Sequence, residues 1–267
     1  MDVDPDADRL MVSLELPIDA AWAAGLVLAI TRVAAFTVTS PITGRALPGP
    51  ARLAFTVAIG ASLAAPVPAV LDLGSLVGAA VANAIIGGTI GFVSGLIVHL
   101  FATAGGIVDF VSGLSVATVF DPVSGEQGAV FARMFHMAAV LLILVGGGMA
   151  LIVGALATSV RVLPLGGGIA PSGILPETVV NLTTQVMRSG VELVLPVIGV
   201  LLMLELAFGL AARFSPQANV LLLGLPAKIL TAITVVGSSW VLFPDAISDA
   251  QRTIGRATEA ALRGLGA

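Results

Sequence analysis

Two histidines, His99 and His136, a single lysine, Lys228, and no cysteine are the reactive groups of this 267-residue chain beyond its 16 carboxylates and its arginines. Without cysteine there is no disulfide, thiolate metal site or cysteine nucleophile. His136 follows Arg133 by one helical turn, and no carboxylate stands at helical spacing to complete a ligand set. Both histidines therefore read as structural or interfacial residues before they read as ligands. No glycine loop ends in Lys-Ser or Lys-Thr, since Ile229 follows Lys228. Nucleotide hydrolysis is excluded on that ground, and no enzyme activity, metal or cofactor is expected.

Charges inside apolar helices are costly and so point to function. Arg32, Arg133, Glu205 and Lys228 are such charges. If residues 193–243 form a hairpin with its tip at Ser215-Pro216-Gln217-Ala218-Asn219, Glu205 lies 12 residues before Gln217 and Lys228 lies 11 after it. The two would meet at one depth as a salt bridge. Two alternatives stay open: each charge meets a different subunit, or the pair relays protons. Arg213, Pro216, Gln217 and Asn219 mark the tip. A second distinctive segment runs from Gly113 to Gly128. It comprises Gly113, Leu114, Ser115, Val116, Ala117, Thr118, Val119, Phe120, Asp121 and Pro122, followed by a Ser124-Gly125 turn signal. Small apolar residues without a base suit a buried connector or a movable seal in a pore.

The elements that position these residues are apolar. Hydrophobic residues make up 57% of the chain and charged residues 10%, against about 25% in soluble domains. The expected fold class is all-α, a polytopic membrane protein of about six partly broken helices. Apolar stretches run over residues 20–39, 53–71, 73–108, 134–160, 193–212 and 220–243. Trp22 and Trp240 lie near the outer ends of the first and last, as interfacial rings do. The third stretch has 36 residues and no formal charge. As one helix it would measure roughly 54 Å against a hydrocarbon core of about 30 Å. It is expected to bend, break or leave the bilayer, with Gly87-Gly88 and Gly105-Gly106 as break points. Gly87, Gly91 and Gly95 line one face at four-residue spacing and read as helix-packing glycines. Pro66, Pro68, Pro196 and Pro226 should interrupt further helices.

The ends differ from the middle. Residues 1–19 carry six carboxylates and one arginine, a solvated acidic tail that opposes the basic start of a signal peptide. The first apolar helix is therefore expected to stay in the mature protein. Residues 245–267 form an amphipathic helix whose alanine-rich stripe favours a neighbouring helix over a membrane surface. Loop arginines place both the first loop and the C-terminus in the cytoplasm, which five regular crossings would not allow.

Four motifs carry a resemblance: Ser40-Pro-Ile-Thr-Gly-Arg-Ala-Leu-Pro48, Gly113 to Pro122, Arg161-Val-Leu-Pro-Leu-Gly166, and Leu206 to Asn219 followed by Gly224-Leu-Pro226 and Lys228-Ile229. In order and spacing they resemble the FliR family of flagellar export gates, the SctT family of injectisomes. That resemblance implies a noncatalytic, pore-forming and gating subunit of a type III protein export apparatus. The system, flagellar or injectisome, would lie in the basal body at the bacterial inner membrane. FliP-like and FliQ-like subunits would pack beside it, with FlhB-like and FlhA-like proteins adjacent and unfolded substrates in transit. It also implies a FliP-like part over residues 20–190, a FliQ-like hairpin over 191–244, and a plug loop over 113–128. Arg45 and Pro48 would belong to the first-loop motif. The chain departs from the family pattern at Val111-Ser112 and at Gly49-Pro50. A stand-alone secondary permease or channel is the alternative, since broken helices and midplane charges suit it too.

Overall fold

No proline falls between Ala20 and Thr39, so nothing interrupts the backbone ladder, and the computed structural model forms helix α1 there, Ala20–Thr39, ended by Ser40 and Pro41. The structure describes residues 19–44, 47–67, 72–115, 129–168, 174–214 and 220–266. After α1 come α2 (Pro41–Gly44), α3 (Gly49–Ser62), α4 (Leu73–Ser112), α5 (Val130–Val145), α6 (Gly148–Val162), α7 (Ile174–Phe214) and α8 (Val220–Ser239). A 3-10 turn, Trp240–Leu242, then leads into α9 (Phe243–Gly266). Every regular element among the described residues is helical.

Helix α3 ends at Ser62 and residues 63–67 are not helical, so the apolar stretch expected over 53–71 is not one continuous helix. Pro66 accounts for this: it lacks a donor and disfavours helical geometry at Ala65. This segment returns to the start of α1, where the Val67 N–H donates to the Ala21 carbonyl at 3.2 Å.

The overlong apolar run does not break at its glycines. Helix α4 is continuous over 40 residues, about 60 Å at 1.5 Å per residue. Its first half lies beside α1. Gly87 meets the backbone of Arg32, Gly91 meets Phe36 and Thr39, and Gly95 meets Pro41, so α1 and α4 run parallel. Its second half continues past the end of α1, where α5, α7 and α9 cover it instead: Gly105 lies against Phe131, Gly190 against Leu100, and Phe101 against Phe243. Burying successive stretches against different helices replaces the need for a break.

The break falls instead inside the stretch expected over 134–160. Helices α5 and α6 meet at an angle of 71° across Gly146-Gly147, where Gly147 takes a left-handed φ of 78°. Together they retrace α4 in the opposite sense, from Phe131 beside Gly105 to Ser159 beside Asn83 and Arg32. Pro196 and Pro226 sit inside the continuous helices α7 and α8. Gly190, the expected divide between two parts, also lies within α7.

The core follows α4, with Ile86, Ile90, Val98, Phe101, Ala104 and Val108 almost wholly buried. Trp240 is 38% exposed and stacks on Phe243 at 4.7 Å, in a cluster that includes Phe135. In α9, Ile247 is buried and Ala246 and Ala250 are half-buried against the same core. Among the described residues four helices are long and apolar enough to cross a membrane, or five if the bent pair is one span.

Candidate functional site

Two groups of buried polar side chains tie the helices to one another. The first is centred on Arg32, a fully buried side chain of α1. Its Nε donates to Asn83 Oδ1 at 2.8 Å, one terminal nitrogen to Ser159 Oγ at 3.1 Å, and the other to the Leu163 carbonyl at 2.8 Å. Asn83 in turn donates through Nδ2 to the carbonyls of Ala79 and Leu165, at 2.7 and 2.8 Å. A planar guanidinium offers five donors in a fixed fork. Here that fork ties α1, α4, α6 and the Arg161-Val-Leu-Pro-Leu-Gly166 turn together. These three partners are neutral, so among the described residues the positive charge is spread over oxygen dipoles rather than paired with a carboxylate.

The second group lies at the base of the Gly113–Gly128 loop. Asp109, 1% exposed near the end of α4, accepts from the N–H of Phe131 at 3.0 Å and from that of Ala132 at 2.9 Å. These are first-turn donors of α5, which no carbonyl inside that helix satisfies. A carboxylate at a helix start also suits the macrodipole. Asp109 thus pins the far end of the loop to its near end. On the near side Gly113 ends α4 with a left-handed φ of 85°, its N–H donating to Phe110 and that of Ser115 to the Asp109 carbonyl, both at 3.2 Å. Leu225 of α8 packs beside Gly113, bringing the C-terminal hairpin to the same point.

One turn further along α8, Lys228 Nζ donates to Glu205 Oε1 at 2.8 Å. The side chains are 19% and 57% exposed, so the pair is not fully buried within this chain. Arg213 and Arg133 are exposed, and Pro48 stands exposed at the start of α3. Arg45, Val116, Ala117, Thr118, Val119, Phe120, Asp121, Pro122, Pro216, Gln217 and Asn219 lie outside the described residues. Among the described residues no three His, Asp or Glu side chains stand close enough to hold a metal.

Sequence reasoning singled out Arg32 but not its partners. Asn83 and Ser159 are neutral and lie 51 and 127 residues away. Asp109 went unremarked because it follows the charge-free run, and nothing in a single sequence links it to an amide 22 residues on.

A bundle built on a mostly apolar central helix, whose outer helices expose Leu, Val and Met and whose buried polar groups join helices to one another, defines an all-α polytopic membrane protein. The family model described as bacterial export proteins, family 1, matches residues 23–254, and the chain belongs to that family. It is similar to the flagellar biosynthetic protein FliR of Escherichia coli strain K12, 31% identical over 214 residues, or 78% of this chain and 81% of that one. FliR of Caulobacter vibrioides is 28% identical over 220 residues, 79% of this chain and 86% of that one. The surface presentation of antigens protein SpaR of Shigella flexneri is 28% identical over 152 residues, 57% of this chain and 58% of that one.

Proposed function

We propose that this chain is a noncatalytic, pore-forming and gating subunit of a flagellar-type protein export apparatus in the bacterial inner membrane. The observation that carries the reading is the family match over nearly the whole apolar region, with relatives named for flagellar biosynthesis and for antigen presentation at the surface. In this reading FliP-like and FliQ-like subunits cover the exposed apolar faces, and FlhB-like and FlhA-like proteins lie beside them. Unfolded substrates pass along the shared wall, and residues 113–128 act as the plug. The Asp109 pin supports the plug, because it fixes both ends of the segment while leaving its length between them. Residues 20–190 serve as the FliP-like part and 191–244 as the FliQ-like hairpin.

Removing the chain from its host should abolish secretion of export substrates, and restoring it should recover secretion. Deleting Leu114 to Phe120 should leave an assembled apparatus that leaks small ions. Unimpaired secretion without the chain overturns the export role; unchanged conductance after the deletion overturns the plug alone.

A further inference from the structure

A cavity of about 450 Å³ opens between the Ser40-Pro41 turn, the first turn of α3 and His99 of α4. Ser40 is fully buried, yet its Oγ has no hydrogen-bond partner, and Arg52 Nε on the same cavity is likewise buried and unpartnered. Buried polar groups left without a partner are uncommon in native structures. Arg32 Nε, by contrast, has Asn83 as its acceptor. The chain supplies no counter-charge near Arg52, because no Asp or Glu occurs over residues 20–71 or 73–108. Asp109 is committed to the start of α5, Glu192 to Arg188 and Glu205 to Lys228. Two orphan donors on one cationic cavity match the two oxygens of a carboxylate, to which the guanidinium fork is suited.

The rim of the cavity narrows the choice of what carries that carboxylate. Val38 of α1 and Leu53 of α3, next to Arg52 in the chain, are both exposed. On α4, Ile85 and Phe92 are exposed at seven-residue steps before the exposed His99, and so share its face of the helix. A free anion in the cavity would leave these apolar side chains uncovered. A second helix, apolar on the face it presents and carrying one Asp or Glu, would cover them and fill the cavity at once. The C-terminal hairpin already pairs charge between two apolar helices in this way, through Glu205 and Lys228.

We propose that this cavity is the socket for one acidic side chain on an apolar helix of a neighbouring subunit. Arg52 and the Ser40 hydroxyl donate to its carboxylate oxygens, and the helix that carries it lies along Ile85 and Phe92. The inference rests on reading this chain as a subunit of an assembly and names the residues that anchor one contact within it.

The test uses the assembled complex, with photoreactive benzoylphenylalanine in place of Val38 on the rim and the joined peptide read by mass spectrometry. The expected peptide belongs to another subunit and holds an Asp or Glu within an apolar helix. Arg52→Glu should lower retention of that subunit about tenfold, and changing its acidic residue to Arg in the same complex should restore most of it. Arg52→Lys should keep most of the retention, and Arg188→Gln, in a surface pair of α7, should match the unmodified chain. The isolated chain should melt no lower with Arg52→Gln than without it, since Arg52 has no acceptor there; a lower melting point would assign Arg52 to the chain's own fold and overturns the proposal. Should Arg52→Glu fail to fold, His99→Glu at the exposed mouth should still weaken retention by facing the carboxylate with a like charge. Undiminished retention in these variants, a joined peptide from this chain itself, or a swap that restores nothing overturns the proposal. So does an Arg52-dependent rise in the melting point of the isolated chain with millimolar inorganic phosphate, which would make the cavity a free-anion site. Loss of a copurifying phospholipid in Arg52→Gln with every subunit retained would make it a lipid site and overturns the proposal too. Unimpaired secretion without the chain would overturn the export reading alone, leaving the joined peptide and the charge swap to decide the socket.

Discussion

Arg32 shows how one residue can hold a helical bundle together without an opposite charge. Its three bonds go to Asn83, Ser159 and the Leu163 carbonyl, on elements that share no sequence neighbourhood. A hydrogen bond to a charged group contributes about 1.5–3 kcal/mol, and an acceptor left buried and unpaired costs a comparable amount. Arg32→Met keeps the aliphatic bulk but leaves the oxygens of Asn83 and Leu163 unsatisfied, so thermal unfolding in detergent should show a loss of about 3 kcal/mol. Arg32→Lys should fall between, because one ammonium cannot reproduce the planar fork. A melting point for Arg32→Met indistinguishable from the unmodified chain would show that the network is incidental. The sequence marks Arg32 as an unusual charge in an apolar helix, but a search for its partner looks for a carboxylate. Three neutral oxygens leave no such signal. The Glu205–Lys228 pair was legible for the opposite reason: two opposite charges at matching distances from a hairpin tip need only the tip to be located. With Glu205 more than half exposed, its own contribution to the stability of this chain is within about 1 kcal/mol.

At the level of elements, the same residue type does two different jobs. Gly91 is a point of close approach: a side chain there would meet the Thr39 hydroxyl and stand 2.7 Å from the Phe36 carbonyl. At Gly88 an added carbon would meet nothing nearer than Thr39 Cγ2 at 3.9 Å. Gly91→Ala should therefore destabilise by about 1–3 kcal/mol through forced separation of α1 and α4. Gly88→Ala should be neutral or stabilising by up to about 1 kcal/mol, since alanine is the better helix former. Equal melting points for the two variants would mean that the helix pair absorbs the extra carbon. The pattern of Gly87, Gly91 and Gly95 pointed to this face, because four-residue spacing alone brings positions onto one side of a helix. The expected breaks at Gly87-Gly88 and Gly105-Gly106 fail for the same physical reason. A glycine that admits a neighbour leaves the helix intact, and Gly105 admits Phe131. At Gly146-Gly147, by contrast, the chain bends by 71°. Two adjacent glycines look alike in a sequence whether they admit a helix or end one. Pro196 and Pro226 likewise remain within continuous helices.

Across the whole molecule the apolar surface is unevenly covered. In the most apolar window of α4, 67% is buried, against 17% in Val180–Phe214 and 11% in Leu223–Arg252. The chain therefore has a finished core along α4 and an unfinished flank on α7 and α8, where Met203, Leu206 and Leu210 are all more than half exposed. Composition disclosed an apolar protein but could not divide its surface between lipid and other subunits, since both favour the same side chains. The two cases respond differently to a charge. Facing lipid, Leu206→Arg costs the chain about 2.5–3.5 kcal/mol once the long side chain has reached for the interface. Facing another subunit, the same change leaves this chain folded but removes its partner, because a buried unpaired charge in an interface is far costlier than one that reaches water. The export-subunit reading predicts the second outcome. Leu206→Arg should insert and melt as the unmodified chain does, while FliP-like and FliQ-like subunits no longer copurify and secretion falls. Lys228→Gln, which keeps the flank apolar, should retain them. Full copurification by Leu206→Arg would mean that this flank faces lipid and that the subunits meet the chain elsewhere.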